Sequence, residues 1–286
     1  MLAAMTDTTL IPAKTSPAFY QASGGPSTAA AQRDIIETFQ RAPLWLTMAW
    51  QDIKLRYRGS VIGPFWLSIS MGIMIVAMGI VYSHLLKTEA HEYFPFLTLG
   101  LMQWSLMSTL MQDACTTFAH SASFIKQIRL PYTTYAMRTL TRHMIIYAHN
   151  FVVYIVVAII FGIWPGVYLV LLIPSLALLL WNALWMIMFL GMLCARFRDI
   201  TPIITSLVQV VFFVTPVIWS PSLLDAHIWI VWINPFYHFL ELMRAPLLGH
   251  APSIWSYVYA FVTGIIGSTV TFMLFRRFRA RIAYWV

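Results

Sequence analysis

Charge is what this chain has least of. Of its 286 residues, 10% are Asp, Glu, Lys or Arg and 60% are hydrophobic, whereas a soluble domain carries about 25% charged residues. That shortage excludes an ordinary soluble domain. Acidic residues are scarcer still, 10 against 18 Lys and Arg. The net charge of +8 would suggest nucleic acid in a soluble protein, but here it reads as the bias of membrane loops and attraction to anionic lipid. The two cysteines, Cys115 and Cys194, fall at expected cytoplasmic helix ends, which argues against a disulfide. The four lysines follow Ala13, Ile53, Leu86 and Ile125. No Gly-Lys pair exists, so a G-x-x-x-x-G-K-[ST] nucleotide loop is excluded. His143 and His149 have no carboxylate or Cys at ligand spacing in the sequence, so a metal site has little support. Residues 1–30 lack the apolar region of a signal peptide and read as a disordered cytoplasmic tail.

What charge there is lies in a pattern. Sixteen of the 18 Lys and Arg fall in four clusters, Lys14 to Arg58, Lys126 to Arg142, Arg196 to Arg198 and Arg276 to Arg281. A membrane-crossing helix needs about 20 mostly apolar residues, and the uncharged runs between the clusters supply them. The runs predict an all-α integral membrane protein with six spans, at about 61–86, 93–116, 138–163, 168–194, 200–218 and 252–275. Trp164-Pro165-Gly166 is the turn that divides the long run 143–195. Six spans put both termini on one side, and the basic clusters make that side the cytoplasm.

Two segments do not cross. Pro216, Pro221, Pro235 and Pro246 cut 219–249 into pieces too short for a core of about 30 Å. Residues 219–247 are therefore expected to be re-entrant helices on the external face, tolerated where protein covers the broken backbone. An amphipathic loop on the lipid surface is the plainer alternative. Before the first span, 34–58, with Arg33 just ahead of it, mixes Ile35, Phe39, Leu46, Trp50 and Ile53 with Asp34, Arg41, Lys54 and Arg56. This is an interfacial amphipathic helix, with a break or start at Ala42-Pro43. It serves either as a plain anchor or in function.

Polar residues inside the spans are few. Asp113 sits near the cytoplasmic end of span two, where Arg138 or Arg142 can pair with it, which favours a structural ion pair over a proton relay. Ser105, Thr109, Gln112 and Thr116 recur on one helical face, as do Thr201, Thr205 and Gln209. Such faces either line a hydrated passage or pack helices. The short cytoplasmic segment Phe118 to Pro131 carries Phe124, Ile125, Ile128 and Leu130 among Lys126, Gln127 and Arg129. It is expected to form an amphipathic helix of about ten residues, either a docking knob or an interfacial turn. For an enzyme only Glu89, His91 and Glu92 stand together, in a short external loop where solvated charge is the ordinary explanation.

From Asp52-Ile-Lys-Leu-Arg-Tyr-Arg58 with Ser60, Gly63 and Trp66, the chain resembles the permease subunit of ABC-2 type polysaccharide exporters. The likeness continues through Ile125 to Pro131, Arg196 to Ile200, Phe212 to Trp219, Asn234 to His238 and Arg244 to Gly249, and covers about 34 to the end. It implies a homodimer bound to two copies of a separate ATPase, which would hold the ATP and Mg, with no cofactor on this chain. It implies coupling through Phe118, Phe124, Ile125, Lys126, Ile128 and Arg129. The implied cargo is a lipid-linked, O-antigen-like polysaccharide on an undecaprenyl-pyrophosphate carrier, crossing the bacterial inner membrane. Arg56 and Arg58, with Tyr57 between them, suit a pyrophosphate headgroup at the interface. Thr201, Thr205, Gln209, Trp219, Trp229, Trp232, Phe236 and Tyr237 are the expected channel and gate. Capsule and teichoic-acid exporters, and drug or small-lipid exporters, share the architecture and stay open.

Overall fold

The computed structural model describes residues 27–59, 63 and 65–286, and helices joined by short turns are the only regular structure among them. The expected tail as far as residue 26, and Ser60, lie outside the described residues. Helix begins inside the stretch read as tail. Ser27 accepts a hydrogen bond from the Ala30 amide at 3.2 Å and starts α1, Thr28–Gln40. The chain breaks at Arg41 and resumes as α2, Ala42–Arg56, with proline in its first turn. This is the break that Ala42-Pro43 signalled.

Four segments are long and apolar enough to cross a membrane: α3 (Phe65–Leu85), α6 (Tyr132–Phe161), Gly166–Arg196 including α7 (Leu172–Arg196), and Ile254–Trp285 including α11 (Ile254–Phe278). Gly162, in the left-handed conformation, closes α6 where Trp164-Pro165-Gly166 predicted a turn. The other two expected spans differ, each for a physical reason. Helix α4 (Ala90–His120) has 31 residues, about 46 Å at 1.5 Å per residue, but is too polar to meet the same criterion. It is the central helix, contributing to all three apolar clusters of the core, and so faces protein more than lipid. Helix α8 (Ile200–Val214) is apolar but has only 15 residues, about 22 Å. It stops before Pro216, short of the expected 218.

Close packing holds the bundle. Gly264 and Gly267 of α11 lie under the indole rings of Trp181 and Trp185 on α7, so a side chain at 267 would collide with Trp185. Gly100 of α4 similarly admits the Val217 carbonyl.

The stretch after α8 is broken as expected, into Pro221–His227 (a 3-10 helix), α9 (Trp229–Ile233) and α10 (Pro235–Leu247). Helix α10 runs through Pro246 rather than stopping at it, and most of it is buried. The segment after α4 is shorter than expected. Instead of a ten-residue helix, α5 covers only Ala122–Gln127, because α4 itself continues to His120. Two short C-terminal pieces follow α11: Arg279–Arg281 and α12, Ile282–Trp285.

Candidate functional site

Most of α4 is enclosed, but one side is open. Ser105, Ser108, Thr109, Met111, Gln112, Asp113 and Thr116 are its exposed or half-exposed positions along this stretch, and all but Met111 lie near one helical face. Beside them runs α8, packed through Val208 and through Phe212 against Trp104, ring centroids 5.5 Å apart. Thr201 and Thr205 of α8 are half-buried and Gln209 is exposed, although the Thr205 hydroxyl donates to the Thr201 carbonyl at 3.1 Å. A strip of hydroxyls and amides thus faces outward from the middle of an otherwise apolar bundle.

One end of this strip is fixed by charge. Asp52 of α2 accepts from Arg138 Nε at 2.8 Å and from Arg142 Nη1 at 3.1 Å. Arg142 Nη2 also reaches Asp113 at 2.8 Å, and His143 Nε2 lies 2.8 Å from the same oxygen. Three helices, α2, α4 and α6, are tied by these side chains. The expected Asp113 ion pair is therefore made by Arg142, while Arg138 serves Asp52. Burial pushes the Asp52 carboxyl up, but the Arg138 and Arg142 guanidiniums outweigh it and hold it below its ordinary value of 3.8. The stabilisation is fully present above pH 3.8 and is lost as pH falls through the lowered value. In detergent, Asp52→Asn should lower the unfolding midpoint at neutral pH by the equivalent of about 1–3 kcal/mol. The gap to wild type should close on acidification through the lowered Asp52 value. A gap that stays constant with pH would remove the ion pair as its source.

Thr109 Oγ1, His143 Nδ1 at 3.4 Å and Asp113 beyond it look like a nucleophile, base and orienting acid. The geometry argues otherwise. The Thr109 hydroxyl donates a hydrogen bond to the Ser105 carbonyl at 2.6 Å instead of to His143, and Asp113 is shared with Arg142. The group is a structural brace.

A second charge hub, not foreseen from sequence, lies at the start of α6. Pro131 precedes that helix and offers no side-chain cap. Asp34 of α1, its side chain 0% exposed, supplies one: its oxygens accept from the Tyr132 and Thr133 amides at 3.0 Å each and from the Thr133 hydroxyl at 2.9 Å. Arg279, beyond α11, completes the hub at 3.0 Å.

At the other end of the bundle, polar contacts hold the broken stretch. Asn234 donates to Thr215 Oγ1 at 2.8 Å, Tyr93 donates to the Ile218 carbonyl at 2.9 Å, and the His238 ring lies between Trp232 O and Ser256 Oγ. Arg244 is buried, donates to the Pro216 carbonyl at 2.9 Å and lies 4.1 Å over the Phe96 ring.

The expected site residues fall into separate groups. Arg56 and Arg58 are exposed at the end of α2, and Tyr57 is half-buried with its hydroxyl enclosed and without a hydrogen-bond partner among the described residues. Phe124 and Ile128 are 41% and 49% exposed, and Lys126 and Arg129 are exposed beside them. Ile125 packs partly on the core, and Phe118 is 0% exposed. Phe118 cannot present itself as a surface contact, because its ring is wedged beside Gly191 of α7 and edge-on to Tyr132. Trp229 and Trp232 are exposed, Trp219 and Phe236 half-buried, and Tyr237 buried.

Sequence comparison agrees with the membrane architecture. A profile of the ABC-2 type transporter family matches residues 43–248. The chain belongs to that family. This ABC-2 permease is therefore a transport subunit and a multi-pass membrane protein. It is similar to the O-antigen export system permease protein RfbA of Myxococcus xanthus, 21% identical over 66% of this chain and 73% of the relative. It is also similar to the protein of the same name from Klebsiella pneumoniae, 20% identical over 82% and 91% of the two chains. The matched region takes in the α4 strip, the Asp52 brace and the broken stretch, but not α1 or the segment beyond α11 that meet at Asp34.

Proposed function

We propose that this ABC-2 permease is the membrane half of an ATP-driven exporter carrying an O-antigen-like polysaccharide, linked to undecaprenyl pyrophosphate, across the bacterial inner membrane. The observation that carries this reading is the polar strip of α4, open on one side of an apolar bundle. In a homodimer two such strips would face a shared path. Hydroxyls and amides there exchange hydrogen bonds with a sliding sugar chain without committing to a register, while the charge brace keeps the strip in place. The names of the two relatives favour a glycan over a drug.

In this reading α4 and α8 complete six spans, both termini are cytoplasmic, and the stretch 219–247 is re-entrant at the outer mouth. Trp219, Trp229, Trp232, Phe236 and Tyr237 close that mouth at rest. Arg56, Tyr57 and Arg58 meet the carrier pyrophosphate where α2 ends, with arginine suited to paired contact with phosphate oxygens. Two copies of a separate ATPase dock on Phe124, Lys126, Ile128 and Arg129, with Phe118 and Ile125 supporting that surface from within.

The direct test replaces the strip's polarity at constant size. Thr109→Val combined with Gln112→Leu should cut surface glycan at least several-fold, measured as the ladder on a gel from cells whose own permease gene is removed. Membrane levels of the protein should hold. Full export by the double variant would reduce the strip to helix packing. Coupling has its own test. Single cysteines at positions 123–128 should cross-link to the co-purified ATPase. Efficient cross-linking from the 87–92 loop instead would invert the topology.

A further inference from the structure

Arg138, Arg142, Arg244 and Arg279 each meet a carboxylate. At the end where α7 and α11 finish, Arg196, Arg198, Arg276, Arg277 and Arg281 do not, and three of these gather around one ring. Arg196, Arg277 and Arg281 have no carboxylate within 4.0 Å among the described residues. Yet they converge: their guanidinium carbons lie 5.6, 5.5 and 5.9 Å from the centre of one ring, Phe278. Arg196 is further framed by Phe197 at 5.0 Å and Trp285 at 5.5 Å. All three remain exposed. Aromatic faces orient these cations but cannot neutralise their mutual repulsion. The cluster therefore concentrates positive charge that no carboxylate within 4.0 Å offsets among the described residues.

The surface next to it says which anion. Ile266, Val270 and Met273 of α11 are all exposed and follow one another at i, i+4 and i+7, with Arg277 next in the series at i+11. Helix α11 packs chiefly on α7 and α10, so this apolar row is uncovered in the chain. An apolar row about 10 Å long by helical rise, about 16 Å when Arg277 is included, ending in guanidiniums and aromatic rings, has the shape of an amphiphile. We infer that Arg196, Arg277 and Arg281 form a binding site for an anionic glycerophospholipid, its phosphodiester held by the arginines and an acyl chain laid along Ile266, Val270 and Met273. Arginine suits phosphate by its forked donors, and basic pockets at a helix end are a recognised form of lipid site. The inference does not depend on what the permease exports.

The test uses the full-length protein in detergent with mixed phosphatidylglycerol and phosphatidylcholine, counting retained lipids by native mass spectrometry. Wild type should retain phosphatidylglycerol several-fold over phosphatidylcholine, and the ratio should fall as sodium chloride rises from about 0.05 to 0.5 M. The R196Q/R277Q/R281Q variant should bring the ratio close to one. A wild-type ratio of one, or a preference that survives the triple substitution, would overturn the site. Displacement of phosphatidylglycerol by equimolar undecaprenyl pyrophosphate would assign the arginines to the carrier and overturn it too. So would a triple variant that keeps its lipid but loses the partner ATPase, since the cluster would then be a protein contact.

Discussion

Asp34→Ala is expected to cost about 3–5 kcal/mol, the range for removing one partner of a buried ion pair, and to abolish export. The substitution leaves the Arg279 guanidinium without its carboxylate and strips the cap from two α6 amides at once. The damage is local in sequence but not in space. The first turn of α6 follows directly on α5 and Pro131, so a frayed α6 also loosens the surface proposed to receive the ATPase. Asp34→Asn separates the two effects. An amide oxygen still accepts from Tyr132 or Thr133 but offers Arg279 no charge, so its cost should be about half as large. The check is thermal unfolding of the two variants beside wild type, with glycan export measured in the same strains. Equal stability of all three would show that the hub is not structural.

The second large effect is expected at Arg244. Arg244→Met keeps the volume and removes the charge, the donor to Pro216 and the cation over Phe96. Together these are worth about 3 kcal/mol when desolvated, and Glu241, 3.6 Å away, loses its partner. Because Arg244 joins α10 to the turn after α8 and to α4, the loss should free the broken stretch rather than unfold the bundle. Single cysteines at 229 and 232 should then react faster with a membrane-impermeant thiol reagent. Small solutes should leak through membranes containing the variant. Unchanged labelling and a tight membrane would mean that Arg244 does not hold the mouth shut.

Much of this could be read from the chain. Gaps in charge marked where helices run, and a turn triplet split the longest of them correctly because Gly162 and Gly166 sit there with positive φ. The Arg41 break, the Asp113 ion pair and the broken stretch after α8 follow from proline and charge placement. Other features were not legible. Helix α4 was visible as a helix but not as the centre of the bundle. Its mixed polarity is the consequence of being enclosed, and that can be seen only when the neighbours are in place. Phe118 enters the coupling set through the family resemblance alone, yet it fills the gap left by Gly191. Asp34 was one acid among several in an amphipathic helix. Nothing local hints that it caps a helix starting 98 residues later. One sign was available: a long helix beginning right after Pro131, with no Ser, Thr, Asp or Asn at its cap, needs its amides satisfied from elsewhere.

The Asp34 hub also sets an order of assembly during synthesis. Asp34 leaves the ribosome first, its α6 partners follow 98 residues later, and Arg279 comes 245 residues after it. At about 5–20 residues per second the last partner arrives roughly 12–50 s after the first. Through that interval the growing chain holds a carboxylate that has its amides but not its cation. Only a chain translated past residue 279 can neutralise it. A product truncated in or before α11 therefore lacks the guanidinium that meets Asp34 in the finished fold.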